Sequence, residues 1–391
     1  MKESFNGILN HSRYFCNRRG GVDVDLFEQI EWAHWKNLKD AEKEALLHQL
    51  LMYFVPPTIE VNTIELVDFE LYGIKCRTFE LEFDGELFVF IPGNTEAILG
   101  WDLGAEGLRA HELMDFDVNQ LANTTFKTTL TNETIDSVEN WNEEETSYDF
   151  TSLEGISDYI NDYTTDLRKV SVPAMFVQKY ALPAGTEFLG IFDTVSGTFE
   201  GEIEQFMPYE KQICDRLFPV LSASESLTWT FPRSLLEKNK FYLEFLPESD
   251  YYFVYSHSDY THEELKLALK REGFSLLSED QWEFAVGAGT RRLFRWGNEL
   301  VIKENESGRQ IKNKMEGANM FGLMIDTEKT RFELTKDRTI VKLTKETGEK
   351  MHLIEKMLPL SSYFHSFHAV SANQKLDPND YLYRKVIKVE R

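Results

Sequence analysis

Cysteine is scarce. Among 391 residues only Cys16, Cys76 and Cys214 occur, and nothing after position 214 carries a thiol. An odd number at wide spacing does not make a disulfide framework, and without a Cys-x-x-Cys pair a zinc knuckle or a dithiol redox motif is excluded. Reduced thiols in a cytoplasmic protein are the expectation, so the Asn-x-Ser/Thr triplets at Asn123, Asn132 and Asn305 carry no glycosylation signal. Long apolar runs are also lacking. No stretch approaches the ~20 apolar residues that a membrane span requires, and the opening MKESFNGILNHSRYFCNRRGG has no apolar signal-peptide core. Positive charge is in deficit: 42 Lys and Arg against 66 Asp and Glu leave a net charge of -24. Such a field repels phosphate backbones and anionic headgroups. Nucleic acid and membrane surfaces are therefore not expected as partners, whereas a protein or a small molecule is.

What is abundant is aromatic carbon. The chain holds 29 Phe, 16 Tyr and 7 Trp, enough to exclude a disordered chain and to fill a large core. Leu26, Ile30, Trp32 and Ala33, then Leu46, Leu47, Leu50 and Leu51, recur near helical spacing up to Pro56-Pro57. They predict a helical hairpin over 24–55, so that residues 1–60 read as an N-terminal helical extension. Phe79–Phe83, the Asp84-Gly85 turn and Leu87–Ile91 predict a β-hairpin. Between 128 and 167 no Lys or Arg occurs, and Glu143, Glu144 and Glu145 are consecutive. Repulsion among like charges predicts a solvated acidic insertion, set at about 105–220, or an acidic cover over a site. Further on, Tyr251–Tyr255 reads as a strand. Thr261 with Glu264 and Ser278 with Gln281 have capping-box spacing, and Gly273 is placed to end the first of these helices.

Leu277-Ser-Glu-Asp-Gln-Trp-Glu-Phe-Ala285, followed by Phe294-Arg-Trp-Gly-Asn298, resembles the "LPTEAEWEYA … YPWGN" signature of the formylglycine-generating enzyme family, the sulfatase-modifying factors. Other segments are similar to further motifs of that family in the same order. Leu87–Gly100 matches the "MVLIPGGTFLMG" hairpin, Asn319–Leu323 matches "NxFGLYDM", Phe332–Asp337 matches "WEWTSD", and Leu382–Val386 matches "GFRVV". The resemblance runs from about 66 to 391. It implies an α+β fold of the C-type-lectin-like kind over 61–391, interrupted by the acidic insertion and preceded by the helical hairpin. In such a fold Trp282 and Trp296 are core residues whose indole N–H groups need internal partners.

The resemblance also implies what is missing. Formylglycine generators oxidise a substrate cysteine with copper held by two C-terminal cysteines, soft ligands suited to Cu(I). Here that half of the chain has none, and Thr339–Gly348 and Thr327–Thr330 replace the family's arginine-rich and metal-loop segments. A second branch of the superfamily holds iron with histidines from a helical bundle, yet His34 and His48 lack that spacing. The chain is thus expected to be a non-catalytic or strongly diverged member, a binding or scaffold module with no cofactor and no metal site assigned. The alternative is a metal-dependent oxidoreductase or protein-modifying enzyme that uses His365 and His368, whose i, i+3 spacing would share a helical face. A third reading makes Arg291, Arg292 and Arg295 an anion-binding cluster. His257 and His262 flank a helix start and can bond to nearby strand ends. Gly287 and Gly289 let the chain leave a helix and do not form a phosphate loop.

Overall fold

The computed structural model describes residues 25–109, 113, 148–222, 224–246, 249–300, 306–345 and 352–390. Cys16, the Glu143–Glu145 run and the triplets at Asn123, Asn132 and Asn305 lie outside the described residues. The class is α+β: three mainly antiparallel sheets, a short two-stranded ribbon and, among the described residues, nine α-helices. No described helix is long and apolar enough to cross a membrane.

The first sheet is built around the hairpin expected from sequence. Strands β1 (Val61–Leu71), β2 (Ile74–Phe83) and β3 (Glu86–Ile91) run antiparallel. Asp84 and Gly85 take positive φ between β2 and β3, as a two-residue turn of the right twist demands. The sheet continues through β6 (Ala174–Gln178) to β16 (Val386–Val389). Its two faces feed two different cores, because successive strand side chains point to opposite sides. Phe88, Phe90 and Phe176 enter one cluster, while Val89, Ile91, Met175 and Val177 enter the other.

The aromatic face is covered by the N-terminal helices. The two helices expected over 24–55 are one 15-residue helix, α3 (Asp40–Phe54), preceded by two single turns, α1 (Leu26–Gln29) and α2 (Trp32–Trp35). The first helix breaks because the chain at Ile30–Glu31 turns aside to pair with the loop after β3. Gly93 N–H donates to the Ile30 carbonyl at 3.0 Å, and Trp32 N–H donates to that of Gly93 at 2.7 Å. A Cβ at Gly93 would lie 2.8 Å from the Ala174 nitrogen, so the approach requires glycine. Leu46, Leu47 and Leu50 of α3 and Trp35 of α2 share a core with Phe79, Phe83 and Phe90. Residues 26–54 are thus packed into the body of the molecule.

The segment about 105–220 is likewise more than an insertion. It contains α4 (Leu153–Asp162), β5 (Arg168–Val172), which pairs with β4 (Asn94–Leu99), and β6, an interior strand of the first sheet between β3 and β16. Ile156 and Ile160 of α4 are fully buried, so part of the run without Lys or Arg belongs to the core. Composition misleads here because an amphipathic helix needs only one apolar stripe. A second sheet, in the order β10 (Ser234–Glu237), β11 (Phe241–Phe245), β12 (Tyr251–His257), β8 (Thr186–Asp193) and β9 (Phe199–Gly201), carries α5 (Ile203–Leu217) on one face over a separate core. A third sheet orders β14 (Val341–Lys345), β13 (Thr330–Leu334), β15 (Tyr381–Tyr383) and β7 (Leu182–Pro183).

Both capping boxes form. Thr261 opens α6 (His262–Glu272), which Gly273 ends at φ 92°, and Ser278 opens α7 (Glu279–Gly287). Ala288 and Gly289, not Gly287, take the left-handed conformation after α7. Two further helices, α8 (Glu306–Glu316) and α9 (Leu353–Met357), complete the set.

Where the sheets meet, Arg384 is buried between β15 and β16. Its Nε donates to Glu333 Oε1 at 2.9 Å and its Nη2 to Glu333 Oε2 at 3.3 Å. Nη1 bonds the carbonyls of Gln178 and Lys179 at 2.8 and 2.7 Å, and Nη2 also reaches that of Met324 at 3.1 Å. Removing one partner of such a pair leaves a buried charge uncompensated. Arg384→Met should therefore destabilise the protein by about 3–5 kcal/mol in urea unfolding. The double variant Arg384→Met/Glu333→Gln should recover part of that loss, and a single variant within experimental error of the parent would contradict the role.

Candidate functional site

The sequence nominates the neighbourhood of α7. Trp282 and Trp296 lie in one core with Phe284, Phe294 and Phe321. The Trp296 indole donates to the Glu299 carbonyl at 3.1 Å, whereas that of Trp282 finds no partner among the described residues. Asn319 is wholly internal. Its Nδ2 donates to the carbonyls of Ala285 and Val286 at 2.7 and 3.0 Å, and its Oδ1 accepts from the N–H groups of Phe321 and Leu323. One side chain thereby satisfies the carbonyls near the end of α7 and shapes the turn at 319–323.

Along α7 runs a partly buried ion network. Lys342 Nζ bonds Glu279 at 2.8 Å, Glu283 at 2.9 Å and the Phe364 carbonyl at 3.1 Å. Arg168 joins from β5, bonding Asp280 and Glu283. Burial opposes ionisation of Glu279, but His365, Lys342 and Arg168 override it and hold its pKa at about 2. The residues are charged and close together, yet apart from the Lys342 bond to the Phe364 carbonyl these contacts are made to other members of the network.

The three arginines go separate ways. Arg291 is half exposed and sits 3.4 Å from Asp102. Arg292 lies over the Tyr72 ring. Arg295 is buried against Trp296 and donates to the Met315 carbonyl, while its Nε and Nη1 make no hydrogen bond. Burial lowers its pKa to about 10. The histidines also separate. His365 lies 3.9 Å from Glu279, and His368 stacks on Phe332 and bonds the Tyr381 hydroxyl at 2.8 Å. The segment between them is not helical, so the face expected from i, i+3 spacing does not form. His262 bonds the Thr335 carbonyl just past β13, and His257 accepts from the Asn239 N–H. His34 and His48 are on the surface. Cys76 is buried, which pushes its thiol up to about 12, and Cys214 is on α5. Among the described residues no three His, Cys, Asp or Glu side chains form a metal-binding group.

A cavity with an aromatic wall lies elsewhere, at the seam between the second sheet and the rest of the molecule. Its larger lobe, about 480 Å³, is walled by Phe188, Phe253 and Tyr255 of the second sheet, by Leu87 beyond the β2–β3 turn, and by Tyr180 and Leu182. Phe188 meets Phe253 and Tyr255 edge to face at 5.7 and 5.6 Å, an arrangement that holds the aromatic wall in place. A smaller lobe of about 260 Å³ adjoins it, lined by Ser234, Tyr242, Thr330, Lys345 and Asn379. Arg233, Glu244 and Arg331 line both lobes. Arg331 bonds Glu244 at 2.9 Å and faces Asp326 at 3.9 Å. Burial works against its charge, but the two carboxylates more than offset this and its pKa is raised.

Sequence periodicity gives the strand Tyr251–Tyr255 but not this cleft, because its wall-mates Phe188 and Phe245 fall on either side of the boundary of the expected insertion. The signal for a second sheet is the near-continuous aromatic and apolar run in 241–243 and in 251–255, which marks strands apolar on both faces.

The ion network yields a pH dependence. The Glu279 pKa drops from 4.5 to about 2 on folding, so its contribution is complete above pH 4.5 and is lost as pH falls towards 2. Glu279→Gln should destabilise the protein at pH 7 by up to about 3 kcal/mol. The gap from the parent should close in thermal unfolding between pH 4.5 and 2. A gap that stays constant through that range would rule the linkage out.

Residues 187–256, which run from β8 through α5 to β12, match a profilin-like domain of unknown function (DUF7278). No curated protein matches the chain. Of the aromatic wall of the cleft, Phe188, Phe253 and Tyr255 lie within the matched residues.

Proposed function

We propose that the protein is a non-catalytic binding module: a diverged formylglycine-generating-enzyme-like scaffold of C-type-lectin-like kind, onto which the profilin-like sheet is packed to form a ligand cleft. The observation that carries this reading is the aromatic lobe of about 480 Å³ at the seam between the two. Its size and lining suit a small molecule with an apolar body.

The scaffold half of the proposal is supported by where the resembling segments lie. The Leu87–Ile91 strand pairs with β6, and β6 with β16. Asn319 bonds the carbonyls of α7, and Glu333 bonds Arg384. Segments far apart in the chain meet, and their polar side chains hold backbone or each other. The alternative, a metal-dependent oxidoreductase using His365 and His368, has less support because both rings are engaged and point to different neighbours. Fold alone establishes no activity in either case.

Nile red, a neutral apolar dye, should bind the parent protein saturably at one site, and Phe188→Asp should weaken this at least about tenfold. That loss corresponds to placing a charge in an apolar wall. Phe188 is 41% exposed, so the variant should still fold. Dye binding that ignores the substitution, or stoichiometric copper or iron in the purified protein together with turnover of a cysteine peptide, would refute the reading.

A further inference from the structure

We infer that the cleft receives a carboxylate-bearing amphiphile, with its chain or ring in the aromatic lobe and its head at the Arg331 wall. This rests on the binding-module reading and adds to it the class of ligand.

Charge distribution inside the cleft carries the argument. The chain as a whole has a net charge of -24, so basic side chains are the minority. Yet the polar lobe gathers Arg233, Arg331 and Lys345 around a single lining carboxylate, Glu244. The acids that line the aromatic lobe already face cations. Glu86 is bonded by Lys385 and by Gln178, Glu328 by Arg233, and Glu244 by Arg331, while Asp326 faces Arg331 at 3.9 Å without a hydrogen bond to its Oδ2 among the described residues. The cations of the polar lobe are paired as well, Arg233 with Glu328, Arg331 with Glu244 and Lys345 with Asp380, but three of them line that lobe against one carboxylate, so an anionic head meets more attraction than repulsion there and a cationic head meets the reverse. Arg331 is the central cation of the site, because it lines both lobes, bonded to Glu244 at 2.9 Å and facing Asp326 at 3.9 Å. The planar guanidinium presents paired N–H donors that match a carboxylate. Arg233 and Lys345, with side chains 69% and 45% exposed, can swing from Glu328 and Asp380 towards the same head.

The apolar end is set by geometry. Phe188 and Tyr180 are exposed at 41% and 49%, much more than the fully buried rings of the core, and both border the larger lobe. Covering them removes apolar surface from water, which drives association regardless of the head group. The two contributions are thus separable: the aromatic lobe takes the body and the basic wall selects its charge.

Three probes of equal chain length test this by isothermal titration calorimetry: decanoate, decanol and decylamine, each kept below its micellar range. Decanoate should bind at one site and about tenfold more tightly than decanol, the advantage of a charge-assisted bond, and decylamine should bind most weakly. Arg233→Gln/Lys345→Gln, changed at exposed positions, should remove most of the decanoate advantage and leave decanol binding unaltered. Phe188→Asp or Tyr180→Asp should weaken both. Decylamine binding as tightly as decanoate would overturn the head-group assignment while leaving the apolar cleft intact. Decanoate binding that neither aromatic substitution affects would overturn the assignment and the cleft together.

Discussion

The buried pair of Glu333 and Arg384 is the constraint on which the rest of the structure depends. Arg384 follows the third sheet's β15 and precedes the first sheet's β16, and its guanidinium bonds Glu333, Gln178, Lys179 and Met324 at once. Three chain segments, at Gln178–Lys179, Met324 and Glu333, are thereby held to one planar group. A charge with so little exposure survives because every donor direction has an acceptor. The third sheet can then take β15 in parallel with β13 and still deliver the chain to the antiparallel edge of the first sheet.

That junction also positions the cleft. Leu182 and Pro183 form β7 at the edge of the third sheet, immediately after the Gln178–Lys179 carbonyls that Arg384 holds. Arg331 is the second residue of β13, two residues before Glu333. The wall residues of the cavity on this side are therefore tied to the same anchor. The opposing wall comes from the second sheet, whose other face is already filled by α5. A sheet with both faces apolar must find two partners. Here α5 is one of them, and the body of the molecule is the other, leaving an opening where the two surfaces do not fully meet.

Much of the local structure was legible in the residues themselves. The Asp84-Gly85 turn, the boxes at Thr261 and Ser278 and the stop at Pro56-Pro57 are short-range signals, each decided by the steric and hydrogen-bonding needs of a few neighbouring residues. Burial of Trp282 and Trp296 followed from their size and setting. The candidate site was much less legible. Arg291, Arg292 and Arg295 are close in sequence, yet they occupy an irregular stretch in which consecutive side chains diverge. His365 and His368 would converge only on a helix, and the chain there is irregular, with the His365 N–H donating to the Tyr163 carbonyl and the His368 ring bonded to the Tyr381 hydroxyl.

By itself the sequence determined the class, the turns and caps, and which aromatic residues are withdrawn from water, because these depend on periodicity and on contacts within a few positions. Only the tertiary structure decided that residues 26–54 and 153–201 belong to the body of the protein, and that Phe188, Arg233 and Arg331 share a cavity. Those outcomes depend on pairings across tens to hundreds of residues. The same apolar strand can satisfy its hydrogen bonds with more than one partner, and packing of the whole chain selects among them.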